Sequence, residues 1–270
     1  MTKAIVRRQA AGVAKRGFSM RNRFRAFSVV ALAAAIGFSV AAVPASAQYN
    51  PESEFEVTRT ADLSGVIILS YTGTATEVNI PPHIRGLPVV GIGENAFRRQ
   101  QGNRWVGIGL TSVTIPESVT SIGNDAFWDN RLTSVAIPNG VTDIGSWAFE
   151  NNQLTGVVIP DSVTVIRAGT FRNNQLTSVA IPNGVIRIAG SSSSSTAFGA
   201  FYGNQLTSVV IPDSIRHIGG HAFANNPLTS VTIGANVNVG RGNPFQSVYQ
   251  QSNRRAGIYV FRNGAWAEEW

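Results

Sequence analysis

The chain has 270 residues, a formal charge of +7 and no cysteine. The lack of cysteine excludes disulfide-stabilised folds and thiolate metal sites. Eight of the 22 Lys and Arg residues precede residue 26, and all 15 acidic residues follow residue 48. The basic character therefore belongs to the N-terminal segment, and no nucleic-acid partner is predicted for the rest of the chain.

The N-terminal segment has the organisation of an export signal. Basic residues precede an apolar run of 17 residues, 27–43, which is followed by Pro44 and the small residues 45–47. This order predicts a signal peptide over 1–47, cleaved between Ala47 and Gln48. An uncleaved membrane anchor is the alternative, and Met20 is an alternative start to Met1. We expect a secreted, surface-displayed or periplasmic protein that meets the membrane only through this signal.

A unit of about 22 residues recurs along the chain. Copies begin at residues 110, 132, 154, 176, 206 and 228, with the pattern L-T-S-V-x-I-P-x-x-V-x-x-I-G-x-x-A-F-x-x-N-x. One copy is longer by eight residues because of the serine-rich stretch 190–199, which predicts an extruded loop. Asn-Gly alternates with an acidic residue and serine after the proline, so the repeating unit is a 44-residue pair of coils.

The repeated positions predict a stack of coils. Val and Ile two residues apart face one side of a short strand, proline ends that strand, and V-x-x-I-G forms a second one. Ala-Phe is expected in one turn of α or 3-10 helix. A single coil buries too few side chains to offset its conformational entropy, so neighbouring coils must share their apolar faces. The phenylalanines are then expected to form one column along the axis: Phe127, Phe149, Phe171, Phe201, Phe223 and Phe245.

Five asparagines recur two residues before the next leucine, and two roles are open for them. They either form a ladder of amide hydrogen bonds between coils or provide left-handed turn conformations. The set is Asn130, Asn152, Asn174, Asn204 and Asn226.

Sequence composition divides the chain after the signal into three parts. Residues 48–109 are expected to form an N-terminal cap and a variant first coil, and residues 110–240 the regular solenoid. Residues 241–270 have strong β character and predict a C-terminal cap. The fold class is therefore α/β but β-rich, a solenoid capped at both ends.

The repeat pattern resembles the BspA-like, Treponema-type leucine-rich repeat of bacterial surface proteins. The resemblance covers about residues 60–245, and the closing A-G-x-Y…N-G-x-W is similar to tails that follow such arrays. It implies a right-handed solenoid that binds other proteins, such as host matrix components, or mediates adhesion. For this chain we expect a protein ligand, from the host matrix or an envelope. The chain departs from the family in having Asn where Cys is frequent, and it has no evident C-terminal cell-wall signal.

No motif predicts catalysis, a cofactor or a metal. The segment 91–96, G-I-G-E-N-A, mimics a dinucleotide-binding loop but follows the I-G-x-x-A-F pattern that recurs in later coils. His217 and His221 are four residues apart, with glycines between them and no third ligand nearby. An enzyme would need a pocket at the irregular stretches 83–105 or 189–201.

Protein binding is the main functional hypothesis. The outward side chains of the first strand are small and uncharged, whereas variation concentrates after the repeat phenylalanine and on nearby turns. Large aromatic and charged side chains of this kind anchor protein interfaces. The candidate partner-binding residues are Trp105, Trp128, Trp147, Glu150, Arg172 and Tyr202. A carbohydrate-binding or envelope-associated structural module is the alternative, and it requires the four aromatic residues of this set to line up on one face.

Overall fold

Short strands of successive coils pair in parallel along the computed structural model, which describes residues 48–191 and 198–269. The export signal and most of the predicted serine loop, 192–197, lie outside the described residues. The V-x-x-I-G segments form two sheets. The first sheet runs β1 (Phe55–Arg59), β2 (Val66–Tyr71), β5 (Leu87–Ile92), β9 (Ser121–Ile122) and β10 (Asp143–Ile144), with β4 (His83–Ile84) also paired to β5.

The second of these sheets continues the same pattern through the later coils. It consists of β11 (Val165–Ile166), β12 (Arg187–Ile188), β14 (His217–Ile218) and β16 (Asn238–Val239), all parallel. In each two-residue strand the isoleucine or valine in second place points into the core, and the residue before it lies at or near the surface. This alternation follows from the two-residue period of a strand.

The L-x-x-V-x-I segments pair less regularly than predicted. Two parallel pairs form, β3 (Glu77–Asn79) with β8 (Ser112–Thr114) and β13 (Ser208–Val210) with β15 (Ser230–Ile233). Between them a single parallel bridge joins Val158 to Ala180. The core side chains are buried in every copy, so burial of Val and Ile is kept even where regular ladder pairing is not.

Both ends of the array are closed by antiparallel strands. At the start, β1 pairs with β2 after a short 3-10 helix, Glu52–Glu54. At the end, α1 (Gln246–Gln251) follows the last phenylalanine, and β17 (Gly257–Arg262) pairs with β15 and with β18 (Ala265–Glu269). No helix in the described ranges is long and apolar enough to span a membrane.

The Ala-Phe segments form the expected single turn, with the hydrogen bond of the 3-10 type and no longer helix. Each forms one i to i+3 hydrogen-bonded turn, such as Trp128 N–H to Asp125 O at 3.1 Å. In the coils of Phe127, Phe149, Phe171 and Phe223, a residue with positive φ precedes this turn and another follows it, for example Asp125 at 54° and Asp129 at 57°. Left-handed residues on both sides confine the right-handed turn to three residues, which is too short to propagate a helix.

The predicted phenylalanine column is confirmed. From Phe97 to Phe223, neighbouring ring centroids are 4.8–5.7 Å apart with interplanar angles of 4–16°. Tyr71 extends the column at the N-terminal end and Phe245 at the C-terminal end. Because no single coil encloses its own ring, this column is the shared core that the repeat requires.

The asparagine set forms the ladder, but through the backbone and not from amide to amide. Asn174 accepts a hydrogen bond from Leu154 N–H at 3.0 Å and donates to Phe149 O at 2.9 Å, so it links its coil to the one before. The other four asparagines accept from the equivalent leucine and donate to the equivalent phenylalanine. The left-handed conformation belongs to the residue before the ladder position, such as Asn173 at φ 52°.

Candidate functional site

One row of side chains lies directly after the repeat phenylalanines, at the rim of the stacked turns. We call Arg98, Trp128, Glu150, Arg172 and Tyr202 the rim row. Successive residues of the rim row come from successive coils of the stack. The carbonyls of the last three accept N–H bonds from the preceding coil: Asp129 N–H to Glu150 O at 2.9 Å, Asn151 N–H to Arg172 O at 3.0 Å and Asn173 N–H to Tyr202 O at 2.8 Å. The backbone therefore fixes their spacing.

Arg98 is the centre of the first cluster in the rim row. Its Cζ atom lies 4.1 Å from the centre of the Trp128 ring and 5.8 Å from that of Trp105, so the cation contacts both indoles. Its Nη1 atom lies 3.1 Å from Asp125 Oδ1 and 2.6 Å from Asn95 Oδ1. Burial lowers the pKa of Arg98 and raises the pKa of Asp125, and their attraction opposes both shifts.

The second cluster in the rim row contains a buried carboxylate. Glu150 pairs with Arg172 of the next coil, and the Arg172 Cζ atom lies 5.3 Å from the centre of the Tyr202 ring. The Glu150 side chain is only 6% exposed. Burial raises the pKa of Glu150, although Arg172 and Trp128 both favour the ionised form. The rim row is thus held in place by cation–π contacts and ion pairs between successive coils.

Trp105 reaches the rim row on a hairpin that the sequence analysis missed. Residues 98–107 extend the first coil as β6 (Arg98–Gln101) and β7 (Arg104–Gly107), joined by Gly102-Asn103. Gly102 has φ 60°, the conformation that a two-residue hairpin loop with glycine in first place requires. The Gly-Asn pair between two four-residue extended segments was the sequence signal for it. Trp105 is 47% exposed on this hairpin.

Trp147 lies apart from the rim row. It occupies the left-handed position before Ala-Phe, with φ 58°, and its ring packs edge-on against Phe198 at 5.9 Å. A Cβ atom on Gly169 would lie 2.2 Å from Trp147 Cδ1, so the indole covers that glycine. The structure therefore brings together five of the six candidate residues, Trp105, Trp128, Glu150, Arg172 and Tyr202.

The arrangement bears on the carbohydrate alternative. Three of its four aromatic residues do lie along the rim, but a guanidinium covers one face of Trp128 and another lies over Tyr202. Sugar rings bind to open aromatic faces, so these contacts reduce the surface that such a ligand could use. Trp105 keeps the largest exposed area of the three.

Other sequence candidates for chemistry take ordinary places in the fold. Gly93 donates to Ile68 O and Gly123 to Ile92 O, both at 2.7 Å, so the glycine of segment 91–96 makes a bond that later coils repeat. His217 lies on β14 and His221 in the turn after it. Within residues 48–191 and 198–269, no group of three or more His, Asp or Glu residues is placed to hold a metal ion.

Comparison with known protein families found a match to the BspA type leucine rich repeat region, in six copies over residues 92–198 and 194–254. A leucine rich repeat protein of T. pallidum is 24% identical, with 66% of this chain and 89% of that chain covered and a TM-score of 0.49. A leucine rich cell surface protein from Faecalibacterium prausnitzii A2-165 is 25% identical, with a TM-score of 0.51. That alignment covers 82% of this chain and 60% of the other. No curated protein matched the chain.

Proposed function

The chain belongs to the family of proteins with BspA-type leucine-rich repeats, and from this premise we propose that it binds another protein through the rim row. We place it outside the cell, secreted or displayed at the surface, and assign it no catalytic role. The observation that carries the proposal is the continuous contact of Trp105, Arg98 and Trp128, followed by Glu150, Arg172 and Tyr202.

The composition and order of the rim row support a protein interface. Trp, Tyr and Arg are the residue types that contribute most binding energy in such interfaces. Here each large side chain is already held by a neighbour, so binding a partner would cost little further side-chain entropy. A rigid row of this kind suits a partner surface that is itself folded.

The other surface considered, the outward face of the first strand, has weaker support. The outward residues of the first strand include Ser112, Ser134, Ser178 and Ser208, which offer small hydroxyls and no large anchor. A flat serine face can fit a sheet without binding anything. It therefore provides the control for the rim row.

The extracellular location rests on two separate supports. The basic, apolar and small-residue order of residues 1–47 is that of an export signal. The F. prausnitzii protein, which is similar over 82% of this chain, is described as a cell surface protein. Surface labelling of intact cells and fractionation of the culture test this placement directly.

The binding test compares two triple variants with the wild-type protein. One variant removes the rim anchors with Trp128→Ala, Arg172→Ala and Tyr202→Ala. The control variant carries the same number of substitutions on the first-strand face, Ser134→Ala, Ser178→Ala and Ser208→Ala. Both are screened for capture of purified matrix and envelope proteins. We expect the rim variant to lose about tenfold or more of its affinity and the serine variant to keep it.

Folding must be separated from binding in this test. Circular dichroism spectra and unfolding temperatures of all three proteins establish that the array is intact. If the rim triple variant unfolds, the single variant Tyr202→Ala replaces it, because Tyr202 lies at the end of the row. Equal capture by the folded rim variant and the wild type would overturn the assignment of the rim row.

A further inference from the structure

Charge is distributed unevenly along the array. Between residues 162 and 267 the sequence contains one acidic residue, Asp213. The same stretch contains eight arginines, at positions 167, 172, 187, 216, 241, 254, 255 and 262. The later coils therefore carry excess positive charge, whereas the earlier coils are acidic. Excess positive charge attracts anions to the later coils.

Ion pairs neutralise only half of these arginines. Arg167 pairs with Asp143, Arg172 with Glu150, and Arg255 and Arg262 with the two glutamates of β18. The remaining four, Arg187, Arg216, Arg241 and Arg254, have no ion pair within the described ranges. Arg216 is occupied by backbone carbonyls, since its Nη1 atom donates to Asp213 O and Ile215 O.

Arg187 lies in a row of hydrogen-bond donors. It is in register with His217 on β14, and His217 is in register with Asn238 on β16. All three are exposed, on the outward side of strands whose Ile188, Ile218 and Val239 are buried. Adjacent parallel strands are about 4.8 Å apart, so neighbouring side chains of this row can contact one small ligand.

A cleft opens beside this row. It has a volume of about 460 Å³ and is lined by Arg187, His217, Asn238, Ile218 and four glycines. Two of those glycines, Gly190 and Gly220, stand where earlier coils have the side chains of Glu94, Asn124 and Ser146. The cleft therefore lies where Arg187 has no ion pair and where Gly190 and Gly220 leave space that side chains fill in earlier coils.

We propose that this cleft binds an oxyanion, a sulfate or phosphate group, held by Arg187 with His217 and Asn238. A guanidinium can give two parallel N–H bonds to such a group, and the adjacent imidazole and amide add donors on the next two strands. The group can come from a free inorganic ion or from an ester on a larger molecule. The cleft shares no residue with the rim row, so the two sites are independent.

The test follows backbone amide signals of the full protein by NMR during titration with inorganic sulfate and with inorganic phosphate, at constant ionic strength. We expect saturable shifts of Gly190, Gly219 and Gly220. Arg187→Gln is expected to weaken this binding about tenfold or more, because it removes the charged bidentate donor. Arg167→Gln is the matched control, an exposed arginine one coil earlier that is already paired with Asp143.

A second arm distinguishes the sources of the anion. Dextran sulfate and unsulfated dextran are titrated into the wild type and both variants. Tighter binding of dextran sulfate that is lost in Arg187→Gln identifies a macromolecular ester as the ligand, whereas Arg187-dependent binding of the inorganic ions alone identifies the free ion. The proposal is overturned if the cleft amides show no saturable shift, or if Arg167→Gln weakens binding as much as Arg187→Gln.

Discussion

Arg98 Cζ lies 4.1 Å from the centre of the Trp128 ring, and Arg98 Nη1 lies 3.1 Å from Asp125 Oδ1. Arg98 begins the β6–β7 hairpin, whereas Trp128 and Asp125 belong to the next coil. One side chain therefore fastens the hairpin to the array and places Trp105 beside the rim row.

Replacing Arg98 with alanine should destabilise the protein, because it removes the cation from Trp128 and leaves Asp125 without its partner. We expect the free energy of unfolding to fall by about 1–3 kcal/mol, measured by chemical denaturation. Arg99→Ala alters the exposed neighbour on the same strand and should change stability by less than about 0.5 kcal/mol. Equal losses in the two variants would contradict the role given to Arg98.

Glu150 should make stability depend on pH. Its pKa is raised above the ordinary value of 4.5, chiefly by burial. The folded state therefore takes up the proton before the unfolded state does as the pH falls. This contribution to stability is complete below the unfolded pKa and is lost as the pH rises through the folded pKa.

As the pH is lowered from neutral to about 5, we therefore expect the free energy of unfolding of Glu150→Gln to increase less than that of the wild type. Denaturation curves at a series of pH values measure the difference. Glu117→Gln, which alters an exposed acid in a turn, should keep the wild-type dependence. An unchanged pH slope in Glu150→Gln would show that this carboxyl does not titrate differently in the folded protein.

Asn174→Ala should be among the most damaging polar substitutions in the chain. It leaves Leu154 N–H without its partner in a buried place, and Phe149 O keeps only the bond from Asn152 Nδ2 at 3.2 Å. We expect a loss of about 2–4 kcal/mol in the free energy of unfolding, since two buried backbone groups lose hydrogen bonds. Gln175→Ala, at the next and exposed position, should be nearly neutral, and a similar cost for both would argue against the ladder.

Phe149→Ala should break the aromatic column at its centre. The ring is fully buried between Phe127 at 5.3 Å and Phe171 at 5.7 Å. A cavity of this size costs about 3–5 kcal/mol. Val158→Ala, at a side chain that is 53% exposed, is the control and should have little effect on the unfolding temperature. A small loss for Phe149→Ala would mean that the column collapses around the gap.

The aromatic column and the asparagine ladder could be predicted because each is set by spacing alone. Phe127, Phe149 and Phe171 recur every 22 residues, so any stack of coils must superimpose them. For Asn174 the spacing predicted a shared position, but two roles were compatible with it. The left-handed role falls to Asn173, one residue earlier, because that residue ends the turn after the phenylalanine.

The rim contacts could not be predicted from spacing. Trp128, Glu150 and Arg172 occupy one repeat position but differ in residue type, so a pattern built on identity treats them as variable. Their pairing depends on side-chain reach between adjacent coils. Trp147 shows the opposite case, since its aromatic character suggested a partner-binding role although its side chain packs against Gly169 and Phe198.

The serines after the repeat prolines limit how such an array can change in length. Ser118, Ser162 and Ser214 each donate to a carbonyl of the coil before, at Val89, Val141 and Val185 respectively. Coils with Asn-Gly accept such a bond at their valine carbonyl but donate none, because glycine replaces the serine there. Gain or loss of a pair of coils keeps a serine coil after every Asn-Gly coil, whereas loss of one serine coil leaves two Asn-Gly coils adjacent and without this bond between them. Removal of a pair of coils should therefore cost the array fewer inter-coil bonds at its junction than removal of a single serine coil.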